Sequence, residues 1–206
     1  MRLDIVLIKR KIFSSFLFLV LFFSISNSSL RAENQINECK EFDIDKSLNN
    51  LKSLQIKFQN YKSWSINGLR ILKFEDKTKI IPEKFKKRFT ASLIANTKTN
   101  QKCEYKARIR QSGNKFDHIQ FKKGNIIQSL DVTLENGSIF GIKKFKLFIP
   151  ATRNGASEII TSHLLAKLGY LSPRTFFLDI SLNGKRSKFL FSEKTTKELI
   201  DRKSVV

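Results

Sequence analysis

"FKLFIPATRNGASEIITSHLLAKLGYLSPRTFFLDISLNGKRSKFLFSEK", residues 145–194, decides the fold reading, because strand, helix and hairpin follow one another with few residues between. Phe145, Leu147 and Ile149 alternate with Lys144, Lys146 and Phe148, the period of two that marks a strand. Pro150 ends it, and Asn154 with Gly155 offers an N-cap for a helix over "ASEIITSHLLAKLG". On a helical projection Ile160, Leu164, Leu165 and Leu168 share one apolar arc, which predicts a helix packed on a sheet. Glu158 lies in its first turn at the margin of that arc, Lys167 suits its negative end, and Gly169 is placed to stop it. His163 falls on the polar side and reads as a surface histidine. Phe176, Leu178, Ile180 and Leu182 then alternate with Phe177, Asp179 and Ser181 up to Asn183-Gly184, a two-residue turn that sends "FLFSEK" back as the partner strand.

The pattern extends upstream. Leu130, Val132 and Leu134 alternate with Ser129, Asp131 and Thr133 and turn at Asn136-Gly137 toward the Lys146 strand. In "CEYKARIRQ" Tyr105, Ala107 and Ile109 take one face, and Lys106, Arg108 and Arg110 the other. "DIDKSLNNLKSLQIKF" reads as a short helix with Leu48, Leu51 and Leu54 on one side, and "NYKSWSINGLRILKF" as two strands about Asn67-Gly68. "TTKELID" begins a last helix. The expected fold class is α+β: an antiparallel β-sheet with one packed helix.

The chain has 206 residues and a net charge of +21, or +17 without residues 1–32. That charge favours anionic partners, although no dense basic block with interleaved aromatics marks a nucleic-acid surface. Lys9, Arg10 and Lys11 precede the apolar run "IFSSFLFLVLFFSIS" and then "SNSSLRA". This predicts an N-terminal signal helix over 1–32, either cleaved or kept as an anchor, and hence an exported protein. Residues 33–87 read as an N-terminal extension and 88–206 as the main domain. Two cysteines in an oxidising compartment predict one bridge, Cys39 to Cys103. No Cys/His cluster has metal-ligand spacing. Asp117 and His118 read as strand neighbours facing opposite ways, unsuited to an acid–base pair.

From Lys106 to Lys197 the chain resembles the spore-coat-H (CotH) family of secreted atypical kinases. The resemblance rests on "GIKKFKLFIPATRNGASEIITSHLLAKLGYLSPRTFFLDISLNGKRSKFLFSEK". Phe145 stands where that family has a tryptophan, "LGYLSPR" spans Leu168–Arg174, "LNG" spans Leu182–Gly184, and "SEK" spans Ser192–Lys194. "RIRQSGN", Arg108–Asn114, is similar to the family's Arg-Gly-Asn segment but separates Arg110 from Gly113 by two extra residues. The resemblance implies a protein-kinase-like small lobe with an αC-like helix, binding ATP for phosphoryl transfer to a protein hydroxyl. Lys146 would hold nucleotide phosphates, Glu158 would orient Lys146, Arg108 and Arg110 would add phosphate contacts, and Glu193 with Lys194 would form the hinge facing the base. Only twelve residues follow Lys194, with Asp201 alone offering a short carboxylate, so the chain reads as a truncated lobe, inactive by itself. A divalent metal is expected only with a large lobe. The alternative is a non-catalytic, basic, envelope-associated module that binds anionic lipid or polysaccharide.

Overall fold

The computed structural model describes residues 50–74, 80–122 and 124–201. The expected signal helix over 1–32 and Cys39 lie outside the described residues. The described residues form the strands β1 (Leu51–Phe58), β2 (Phe89–Thr97), β3 (Lys102–Gln111), β4 (Ile119–Lys122), β5 (Asn125–Gln128), β6 (Leu130–Leu134), β7 (Lys144–Phe148), β8 (Thr175–Leu182) and β9 (Lys185–Glu193). Their α-helices are α1 (Tyr61–Leu72), α2 (Ser157–Lys167) and the short α3 (Lys197–Asp201).

Seven strands close into a barrel in the order β1-β2-β3-β6-β7-β9-β8, and β4 and β5 form a separate hairpin. Every barrel pairing is antiparallel except the closing one, where β1 runs parallel to β8 with Ser53 opposite Asp179 and Ile56 opposite Leu182. The expected kinase-like small lobe, an open sheet under a packed helix, is therefore not the fold. The reason lies in the inner faces. Leu54, Ile56, Leu93, Tyr105, Ile109 and Val132 meet the stacked rings of Phe145, Phe191 and Phe176 in one core. A sheet closed on its own side chains fills its interior and leaves no open face for a helix to cover.

Helix α2 shows the consequence. Ile160, Leu164 and Leu168 are 65%, 55% and 63% exposed, and Ser162 is the helix's buried residue. The apolar arc exists but faces solvent, not sheet. Asn154 does not cap this helix either: it ends the 3-10 turn Pro150–Arg153 in the left-handed region, and α2 begins at Ser157 without a side-chain cap. Its far end does follow expectation. Gly169, at φ 80°, bonds back to Ala166, and Tyr170 bonds back to Leu165 in a Schellman closure.

Two further expectations change. Residues 51–58 form a strand, not a helix, with Leu54, Ile56 and Phe58 buried and Lys52, Gln55 and Lys57 exposed. A register shift between Leu51 and Ser53 spaces Leu51 and Leu54 three apart, which imitates a helical stripe. Residues 61–72 form a helix, not a hairpin. Asn60 Oδ1 caps it by accepting from the Ser63 amide at 2.9 Å. Trp64, Asn67, Gly68 and Ile71 are its buried residues, so Asn67-Gly68 sits mid-helix. Gly68 is needed there for space: a Cβ would lie 2.5 Å from Gln128 Nε2 and 3.1 Å from Ile126 Cγ2.

The β8–β9 turn forms as read, with Asn183 and Gly184 both at positive φ. It also secures closure, since Asn183 Oδ1 accepts from the Phe58 amide at 2.9 Å and the Asn183 amide donates to the Ile56 carbonyl at 2.8 Å.

Candidate functional site

Alternation places Arg110 on β3, Asp131 on β6, Lys146 on β7, Ser192 on β9 and Thr175 on β8 side by side on the barrel's outer surface. Each pairs with the next in the strand register. Asp131 is the buried centre of this row, 3% exposed. Its Oδ2 accepts from Arg110 Nε at 3.1 Å and from Lys194 Nζ at 3.4 Å, while Oδ1 has no hydrogen-bond partner among the described residues. The turn before α2 adds Arg153, whose guanidinium lies 4.0 Å from the centroid of the Phe148 ring, and Lys146 Nζ lies 5.6 Å from that same centroid.

The Lys146–Glu158 ion pair expected from the sequence does not form. Both residues belong to one neighbourhood, because Ser192, the cross-strand partner of Lys146, donates to Glu158 Oε1 at 3.3 Å. Glu158 instead pairs with Arg153 Nε at 3.5 Å. Lys146 makes no hydrogen bond or ion pair with any described residue. Burial is the main cause that lowers its pKa below 10.5. Asp131 opposes the shift, and Lys194, Arg153 and Arg110 reinforce it. Four cations (Arg110, Lys146, Arg153 and Lys194) thus share the company of two carboxylates, Asp131 and Glu158.

The other sequence-derived residues lie elsewhere. Arg108 points outward one row away and pairs with Glu135 at 2.7 Å, so its charge is matched locally. Glu193 is buried and holds Arg174 in a fork, accepting from Nε at 3.0 Å and Nη2 at 3.1 Å, with the Arg174 amide adding a third bond at 3.2 Å. The amides of Glu193 and Lys194 are bonded to the carbonyls of Arg174 and Lys144, which leaves neither free to meet a base. Cys103 is buried in β3, and no thiol is free among the described residues. Asp131 and Arg153 escaped the sequence reading as site residues. Asp131 carried a signal, since it is the one acid at an outward position of β6.

A comparison with protein-family models returns no match, and neither does a comparison with curated proteins. The resemblance to the CotH family thus stands on the quoted residues alone.

Behind the row, His118 closes the 3-10 turn Phe116–His118 and not a strand. Its Nδ1 shares a hydrogen bond with Ser129 Oγ at 3.0 Å, and that hydroxyl also accepts from the Ile149 amide at 3.0 Å. Burial lowers the His118 pKa. Asp117, 3.9 Å away, opposes this, and Arg153 and Lys146 add to it. Gly113, at φ 92°, lies so close to the ring that a Cβ would sit 2.1 Å from His118 Cδ2. His118 therefore reads as a packed support beneath Phe148 rather than an acid–base group. Among the described residues no group of three His, Cys, Asp or Glu side chains could hold a metal, and no helix is long and apolar enough to cross a membrane.

Proposed function

We propose that the protein is an exported, non-catalytic binding module that holds a phosphate-bearing ligand at the Lys146 row. One observation carries this reading: among the described residues Lys146 is a partly buried ammonium with no acceptor, flanked by Arg110, Arg153 and Lys194 and faced by the carboxylates Asp131 and Glu158. A tetrahedral anion between Lys146 and Arg153 supplies the missing acceptors and offsets the excess charge. ATP, the cofactor implied by the sequence resemblance, is the first ligand to try. Among the described residues each carboxylate of the row faces cations, Asp131 through Oδ2 with Arg110 and Lys194, and Glu158 with Arg153.

The test is calorimetric titration of the full chain with ATP, pyrophosphate and inorganic phosphate. Lys146→Met and Arg153→Met each weaken binding about tenfold or more, as loss of one charge-assisted bond requires. Arg108→Met changes little, since Glu135 already neutralises Arg108. An anion raises the pKa of Lys146, so binding takes up protons and weakens as pH rises through the depressed value toward 10.5. Equal affinities in wild type and Lys146→Met end the proposal.

A second reading, attachment to an anionic lipid surface, is favoured by α2. Ile160, Leu164 and Leu168 present apolar side chains to solvent there, surface that a bilayer could cover. Sedimentation with vesicles containing phosphatidylglycerol, set against neutral vesicles, tests it. Retention that Leu164→Ser with Leu168→Ser leaves intact excludes that face.

A further inference from the structure

A cavity of about 650 Å³ opens between α1, the β4–β5 hairpin and the tip of the β8–β9 hairpin. It shares no charged residue with the Lys146 row. Its size suits a small ligand, since such sites run from about 300 to 1,000 Å³. The walls are fixed by features already described: Gly68 lets α1 lie against the hairpin, and Asn183 ties the β8–β9 tip to β1.

The lining divides into two chemistries. Trp64, Ile127, Ile149 and Leu182 give buried or half-buried apolar surface, and the exposed Leu69 and Phe121 extend it. Every charged residue at the cavity is a cation: Lys122, Lys185, Arg186 and Lys188. None of the four is in an ion pair among the described residues, and all are exposed. No Asp or Glu among the described residues lines the cavity. A free inorganic anion gains nothing from the apolar part, and a neutral chain gains nothing from the cations.

We infer that this cavity binds one anionic amphiphile, with its acyl chain against Trp64 and its neighbours and its carboxylate or phosphate head among Lys122, Lys185, Arg186 and Lys188. The arrangement follows the usual division of a ligand site into apolar surface for affinity and a few charges for orientation.

Trp64 is the chain's single tryptophan and therefore reports occupancy directly. The full chain is titrated with dodecyl phosphate or dodecanoate below their micelle-forming concentrations, while Trp64 emission is followed. Both give a saturable one-site change, inorganic phosphate gives none, and dodecyltrimethylammonium binds about tenfold more weakly or worse. Lys185→Glu combined with Arg186→Glu lowers affinity for the two anionic amphiphiles by about the same factor. Lys146→Met leaves this site unchanged, which separates it from the phosphate site proposed above. Equal binding of the cationic amphiphile, an unaffected double variant, or an equal response to inorganic phosphate would each overturn the inference. If the double variant does not fold, the comparison of the four ligands on wild type decides alone.

Discussion

Replacing Asp131 by Asn removes the negative charge at the centre of the Lys146 row while keeping its shape. The Asp131 side chain is 4% exposed, but its partners Arg110 and Lys194 are 33% and 34% exposed. Breaking a fully buried pair costs about 3–5 kcal/mol, and an exposed pair contributes about 0–1. Arg110 and Lys194 can turn partly into water, and Asn still accepts from Arg110, so the expected loss is about 1–3 kcal/mol. For a domain of this size that lowers the thermal midpoint by roughly 2–10 °C. Phosphate affinity moves the other way. Removing one carboxylate a few ångströms from the bound anion strengthens binding about fivefold or more. Thermal unfolding in buffers with and without phosphate reads both effects at once, because a ligand bound only to the folded state raises its midpoint. Asp131→Asn starts lower than wild type and gains more from phosphate. A variant that loses stability and phosphate response together would show that Asp131 organises the cations for structure and that the row does not hold an anion.

Three other outcomes follow from the geometry. Glu193→Gln loses the charge that holds Arg174 in its fork and costs about 2–4 kcal/mol by urea denaturation, yet leaves phosphate affinity unchanged; a selective loss of binding would return Glu193 to the site. Leu164→Ser with Leu168→Ser leaves the unfolding free energy from urea denaturation within about 0.5 kcal/mol of wild type, whereas Leu147→Ala in the core costs about 2–5 kcal/mol; a large loss in the α2 variant would mean that the helix is packed after all. His118 has a pKa below 6.5 in the folded state, so the unfolded chain binds more protons and stability falls as pH drops from 6.5 through the depressed value. His118→Gln flattens that part of the pH–stability curve, and an unchanged slope would locate the acid sensitivity elsewhere.

The β8–β9 hairpin, β3 and the strands β6 and β7 were legible from their period of two, although β6 and β7 turn at Phe140-Gly141, between the bridged Ile139 and Ile142, and not at Asn136-Gly137. Lys146, Arg110 and Asp131 could be placed on outward faces by the same rule. What the rule misses is non-local. The parallel closure of β1 on β8 has no signature in either strand, and without it the α2 arc is naturally assigned to an open sheet. β1 was hidden by its register shift, which moved Leu51 into helical spacing with Leu54. Helix α1 was hidden by Asn67-Gly68, a turn signal that here serves close packing against Gln128. At the site, Arg153 could not be foreseen, because the 3-10 turn that aims it at Phe148 depends on the strand and helix on either side.

The clasp between Phe58 and Asn183 joins residues 125 positions apart in the chain. During synthesis β1 emerges long before its second neighbour exists, and one of its hydrogen-bonding edges stays bare until β8 arrives. Such late, long-range pairing slows folding and exposes strand edges to the wrong partners. The final β-hairpin is therefore the latch of the whole ring, and damage to its turn should be felt first in how much protein survives to fold rather than in how stable the survivors are.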